Sequence, residues 1–265
     1  LKLRVPVFPC GNAIEPLPHR FSGFQMIRNS LPPLIAVVGC DGSGKSTVTE
    51  ALHLWMSARQ PTRICHLGKQ SGNIGRRIAR LPLLGGKLDK SIHAKAQKAQ
   101  TDKGPGVLAA MVIYMFSMRR VRRFGRMMKL WEGGHAIIAD RFPQLGVPGP
   151  MDGLGLAGAG GGGLVGWLAR SERRRYAAMV VNAPDLVLRL NVSLEVALAR
   201  KPDHRASSLA RKVADVPRLT FEGAPIVEID ADLPLEQVLA QARAAIERRL
   251  AEIEARDLAS DRKAA

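Results

Sequence analysis

Short apolar runs alternate with longer segments of 3.6-residue periodicity along most of this chain. The runs near 34–39, 62–67, 135–139, 185–191 and 225–230 are rich in Ile, Val and Leu, as strands buried on both faces should be. Helical patterning predicts helices near 44–59, 87–101, 107–132, 167–181, 193–201, 206–214 and 234–257. The last is the clearest: Leu235, Val238, Leu239, Ala242, Ile246, Leu250 and Ile253 fall on one apolar stripe. Ser193 is placed to cap the short helix at 193–201, with Glu195 in its first turn facing the positive helix end. Strands alternating with helices predict βαβ units and a parallel sheet.

Two stretches break the pattern. Gly68 to Lys87 is glycine-rich and basic, and Pro148 to Gly166, "PGPMDGLGLAGAGGGGLVG", has no periodicity. Loops this long within a domain are functional lids, binding segments or plain disorder. Residues 1–30 carry prolines at 6, 9, 16 and 18 and no continuous apolar core of the signal-peptide kind. A poorly ordered leader is expected there, with Met26 a candidate natural start, followed by one domain over 31–257 and a disordered tail at 258–265. No run of about 18 apolar residues occurs, so no membrane span is expected.

Composition narrows the class. The 265 residues suffice for one large α/β domain or two small ones, and 46% hydrophobic content is globular. Forty Lys and Arg against 23 Asp and Glu leave a formal charge of +17, which suits anionic partners without choosing among them. Cys10, Cys40 and Cys65 are odd in number and lack metal-ligand spacing, so a reducing cytoplasm is expected. Arg119, Arg122, Arg123, Arg126 and Lys129 make a basic helix face opposite Val121, Phe124, Met128 and Trp131. Only 5% of residues are aromatic and none interleave with that face, so a solvated surface is expected rather than a nucleic-acid platform. Met111, Met115 and Met118 read as core filling, and Trp167 and Tyr176 as parts of a surface helix.

The chemistry concentrates after the first strand. Gly39-Cys40-Asp41-Gly42-Ser43-Gly44-Lys45-Ser46 matches G-x-x-x-x-G-K-[ST] in full, with Thr47 next, a strand before and a helix after. Glycines let successive backbone N–H groups turn toward phosphate oxygens where a side chain would collide. The helix beginning near Gly44 adds its unpaired N–H groups and positive end. Lys45 then bridges the β- and γ-phosphates, and the Ser46 hydroxyl ligates Mg²⁺. The segment reads as a nucleoside triphosphate cradle.

A second charged position ends the third strand. In "WEGGHAIIADRFP", Asp140 and Arg141 follow an apolar run, at the carboxyl edge where open α/β sheets bind ligands. An aspartate there can hold Mg²⁺ or orient an acceptor, and an arginine can fork onto a phosphate.

With these pieces in place, the chain resembles the thymidylate kinase family of nucleoside monophosphate kinases over most of residues 34–257. "GCDGSGKST" looks like the family's first signature and "ADRF" like its Asp-Arg-aromatic signature. "PDLVLRLNVSLEVALARK" resembles the strand and helix leading into the lid, and "IVEIDADLPLEQVL" the final strand and adenine loop. The resemblance implies an α/β P-loop kinase: a five-stranded parallel sheet of order 2-3-1-4-5 with helices on both faces. It implies ATP as phosphoryl donor and Mg²⁺ as cofactor.

By position, Asp41 would face the acceptor or metal, Asp140 would assist Mg²⁺, and Arg141 with Arg119 would hold the acceptor phosphate. In a lid near 200–212, Arg200, Lys201 and Arg205 would close over the phosphates, because Gly42 stands where some members carry a basic residue. The default reaction is dTMP + ATP to dTDP + ADP, and a homodimer is left open. "HLGKQSGNIGRR" and "PQLGVPGPMDGLGLAGAGGGG" depart from the family in regions that shape the acceptor pocket. A kinase of another nucleoside or small phosphorylated metabolite is therefore the alternative within the class. A non-catalytic, ATP-regulated nucleic-acid-binding protein is the alternative outside it.

Overall fold

Five apolar runs pair into one parallel sheet. In the computed structural model the described residues are 31–68, 105–159 and 161–264, with side chains through 259. The chain divides into Leu1–Leu31 and Pro32–Ala265, and the described elements belong to the second unit. The strands are β1 (Leu34–Gly39), β2 (Thr62–His66), β3 (Ala136–Asp140), β4 (Leu186–Asn191) and β5 (Ile226–Asp230). Their order is β2-β3-β1-β4-β5, all parallel, as expected. Every residue of the central β1 is buried, whereas the edge strands β2 and β5 are half-exposed. That gradient accounts for the uninterrupted apolar run LIAVVG in the middle of the sheet.

The helices are α1 (Lys45–Ser57), α2 (Val107–Glu132), α3 (Gly163–Val180), α4 (Leu194–Arg200), α5 (Ala206–Asp215) and α6 (Leu235–Ala264). The crossover from β1 to β2 runs one way along the sheet, and the crossover from β2 to β3 runs back. Right-handed connections therefore put α1 and α2 on opposite faces. α6 packs on α1, and α3 on α2. The chain reverses direction along the sheet at the β1–β3 boundary, where Val37 pairs with Asp140. That is the switch point at which open α/β sheets bind ligands.

Several expectations change. α3 begins at Gly163 rather than 167, and α6 runs to Ala264, through the tail expected to be disordered. No Gly or Pro interrupts "EARDLASDRKA", so nothing local ends that helix. Met111 and Met115 are exposed at 46% and 44%, not in the core, while Tyr176 is fully buried rather than on the surface. The leader at 1–30, the helix at 87–101 and most of the basic stretch Gly68 to Lys87 lie outside the described residues.

The aperiodic stretch after β3 is packed, not loose, as far as Leu156. Gln144 is buried; its Nε2 donates to the carbonyls of Val147 (2.6 Å) and Met151 (2.9 Å), and its Oε1 accepts from the Val147 N–H at 2.7 Å. Farther on, the buried carboxylate of Glu172 on α3 accepts from the N–H groups of Gly155 (3.1 Å) and Leu156 (2.8 Å), and from the Ser117 hydroxyl on α2. Met151, Leu154 and Leu156 are buried between these anchors. Gly153 is required by close approach, since a Cβ there would sit 1.9 Å from the Val147 carbonyl oxygen. The stretch lacks periodicity because long-range polar anchors, not a repeating face, hold it.

Candidate active site

The β1–α1 loop has the geometry of a phosphate cradle. Gly42 and Gly44 adopt φ of +87° and +82°, the left-handed region in which glycine is unstrained. A Cβ at Gly42 would meet the Ala197 carbonyl of α4 at 2.9 Å, whereas one at Gly44 would project into open space, where a ligand can approach the backbone. The buried Ser43 hydroxyl donates to the Cys40 carbonyl at 2.9 Å and tightens the turn. Lys45 donates to the same carbonyl at 2.6 Å, which keeps its buried ammonium inside the loop. Burial, then the nearby Arg141 charge, push its pKa down to about 8.

Across the switch point stand Asp140 and Arg141. Arg141 has φ of +71°, a conformation that costs a non-glycine residue roughly 1–3 kcal/mol. Its N–H donates to the Val37 carbonyl at 3.0 Å, so pairing with β1 holds the turn. The guanidinium donates to Asp41 Oδ1 at 3.1 Å and to Asp152 Oδ2 at 3.4 Å. Asp152 first, with Asp41 and Asp140, raises the Arg141 pKa despite burial.

Asp41 Oδ2 also accepts from Lys212 on α5, and His204 lies 3.8 Å away. Burial would raise the Asp41 carboxyl, but Lys212, Arg141 and Lys45 outweigh it and bring the pKa to about 2. Asp41, Gly42, Gly44, Lys45, Ser46, Thr47, Asp140, Arg141, Arg200, Lys201 and His204 line one cleft of about 400 Å³.

Two oxygen-bearing side chains of this cleft are candidates to hold a divalent cation. Asp140 Oδ2 meets His66 Nδ1 at 3.0 Å, while Oδ1 is buried with no hydrogen-bond partner among the described residues. Ser46 is exposed and lines the same cleft. No group of three or more His, Cys, Asp or Glu gathers anywhere among the described residues. Mg²⁺ suits such a sparse site, since it takes one or two protein oxygens and completes its shell with water and phosphate.

The structure places the sequence-derived residues unevenly. Gly39 to Thr47, Asp140 and Arg141 come together. Arg200 lines the cleft, but its Nη1 is engaged with the carbonyls of Gly42 (3.2 Å) and Ala231 (2.9 Å). Arg205 is exposed at the N-cap of α5 and outside the cleft lining. Arg119 is exposed; the next residue, Arg120, is the buried one. One residue turns a side chain about 100° around a helix, and the buried face Ser117, Phe124, Met127 and Trp131 continues through Arg120. Extending the apolar stripe back one turn would have found it.

Sequence reasoning also missed Lys212, three positions beyond the buried Leu209 and on the same helix face. It missed Asp152 and Glu172 as well. The only local signal for Asp152 is its place beside Gly153 in the aperiodic loop.

The fold and the cleft define a kinase-like P-loop protein. No protein-family model matches the chain. It is 41% identical over 220 residues to the uncharacterized ATP-binding protein YghS of Escherichia coli (strain K12), covering 80% of this chain and 92% of that one. It is 39% identical over 222 residues to YghR of the same strain, also an uncharacterized ATP-binding protein, covering 82% and 88%. The chain belongs to the family of YghS and YghR. A probable thymidylate kinase of Pyrobaculum aerophilum is 27% identical over 223 residues, covering 81% and 96%. Among solved structures, a deoxyadenosine kinase from M. mycoides with bound dATP aligns over 80% of this chain and 98% of that chain. The identity is 13% and the TM-score 0.43.

Proposed function

We propose that this protein is an ATP-dependent kinase that transfers the γ-phosphoryl group to a small acceptor of the nucleoside or nucleoside monophosphate type. One observation carries the reading: the phosphate cradle with Lys45 and the Asp140–Arg141 pair with Asp41 open onto one cleft. A protein that only bound a triphosphate would have no use for the second charged wall. The ATP-binding relatives at 41% and 39% identity support the donor, and the probable thymidylate kinase at 27% makes thymidylate the reference acceptor.

The residues divide the work. Backbone N–H groups from Gly42 to Thr47 and the N-terminus of α1 receive the phosphates. Lys45 exchanges the Cys40 carbonyl for a phosphate oxygen and follows the charge that spreads over the transferring group. Ser46 and Asp140 would hold Mg²⁺, which when bound would neutralise negative charge on the phosphates. Arg141 and Asp41 orient the acceptor. Lys201 and His204 line the lid side, Lys212 braces Asp41 from α5, and Arg200 ties the cradle to the β5–α6 loop. Cys40 and Cys65 are free thiols, which suits a reducing cytoplasm. Among the described residues no helix is long and apolar enough to cross a membrane.

The test is ADP release by purified protein with ATP, Mg²⁺ and a panel of nucleosides and nucleoside monophosphates. Acceptor-dependent release that Lys45→Ala abolishes is expected. Silence with every acceptor would overturn the reading.

A further inference from the structure

In the kinase reading a monophosphate acceptor would place its anion on Arg141, and that guanidinium already faces a carboxylate of the chain itself. Asp152 places Oδ1 on Arg120 Nη2 and Oδ2 within 3.4 Å of Arg141 Nη1. It therefore bridges the buried Arg120 and the half-buried Arg141 guanidinium groups as a bound phosphate would. Four of the five N–H donors of Arg120 are engaged within the chain. Its Nε donates to the Leu67 carbonyl at 2.8 Å, and its Nη1 to the Asp152 carbonyl at 3.0 Å and the Tyr176 hydroxyl at 2.9 Å. The side chain is 0% exposed. Arg119, the other arginine expected to take that phosphate, is exposed on the outer side of α2.

Asp152 is held there by its surroundings. Its backbone sits at φ of +69°. The buried Gln144 clamps Met151 on one side, and the buried Glu172 clamps Gly155 and Leu156 on the other. A Cβ at Gly153 would collide with the loop's own backbone, so the segment is closely packed where it would have to move. Asp152 answers Arg120 and Arg141 directly, and Asp41, held between Arg141 and Lys212, adds a second carboxylate. A dianionic phosphate at Arg141 would enter beside both carboxylates.

We infer that Asp152 is a built-in occupant of the acceptor-phosphate seat, and that the acceptor is an unphosphorylated nucleoside or similar neutral hydroxyl compound. This rests on the kinase reading and refines it. The acceptor's hydroxyl oxygen forms the new bond to the γ-phosphorus. The bond from phosphorus to the β–γ bridging oxygen breaks, its electron pair leaves with ADP, and the hydroxyl proton passes to water. Asp152 acts through Arg141 and Arg120 as a positioning residue that sets specificity.

The experiment compares kcat/KM for matched pairs, each nucleoside against its own 5′-monophosphate, in wild type and in Asp152→Asn. Asparagine tolerates the left-handed backbone and removes the negative charge. Wild type is expected to prefer the unphosphorylated partner by at least tenfold. Asp152→Asn is expected to shift the ratio toward the monophosphate by at least tenfold and to bind inorganic phosphate competitively. A wild-type preference for monophosphates overturns the inference while leaving the kinase reading intact. So does a ratio unmoved in folded Asp152→Asn. If that variant does not fold, the wild-type ratios alone decide. Absence of any phosphorylated product refutes the kinase reading instead.

Discussion

Replacing Arg120 with methionine removes a charge from the interior and leaves its partners behind. The side chain is 0% exposed and makes four donated contacts: to the Leu67 carbonyl, the Asp152 carbonyl and carboxylate, and the Tyr176 hydroxyl. Breaking a buried ion pair by deleting one partner costs about 3–5 kcal/mol. Asp152 retains Arg141 at 3.4 Å, so the lower end, ~3 kcal/mol, is expected. In a domain of this size that corresponds to a fall in melting temperature of about 6–12 °C.

The assay is urea unfolding followed by circular dichroism, with an unchanged m-value as the sign that only stability moved. Asp152→Asn closes a double-mutant cycle. The two sites share hydrogen bonds, so a coupling of at least ~1 kcal/mol is expected. An Arg120→Met loss below about 1 kcal/mol, or additive behaviour with Asp152→Asn, would refute the closed pair between α2 and the aperiodic loop.

Other outcomes follow from the same geometry. Lys45 has a folded-state pKa near 8 against an ordinary 10.5. Between those values the unfolded chain carries a proton the folded one lacks, so this group's contribution makes stability rise with pH across that window. An ATP analogue binding at pH 9 should then take up about one proton, read as buffer-dependent heat in titration calorimetry; a buffer-independent heat would refute the depressed Lys45 pKa. Asp41 is depressed from 3.8 to about 2, so its contribution is present above pH 3.8 and lost as pH falls through 2. Lys212→Met should raise that carboxyl's pKa, as measured by carboxyl-carbon NMR titration, and an unmoved pKa would remove Lys212 from the site. Gly44→Ala should fold at a cost of about 1 kcal/mol yet lose ATP binding, because only backbone strain and the ligand's space are affected. Gly153→Ala should destabilise more than Gly44→Ala, because its Cβ would overlap the Val147 carbonyl; thermal melts rank the two.

Local pattern alone determined a good deal of this protein. Apolar runs marked the inner strands β3, β1 and β4 most clearly, because strands buried on both faces are built mainly from Ile, Val, Leu and Ala; the half-exposed edges β2 and β5 showed through shorter apolar stretches. The cradle from Gly39 to Ser46 was legible because every one of its requirements, turn glycines, cation and hydroxyl, sits within eight consecutive residues. Asp140 and Arg141 could be placed because a strand's end is visible as the end of an apolar run. Tertiary structure decided what surrounds them. Whether Arg119 or Arg120 turns inward depends on helix phase, set by which neighbours α2 packs against. Lys212 reaches Asp41 across 171 positions, and Asp152 meets Arg120 across 32. Charges so far apart in the chain carry no mutual signal along it; only packing brings them within reach and sets Asp152 of the loop after β3 against Arg141.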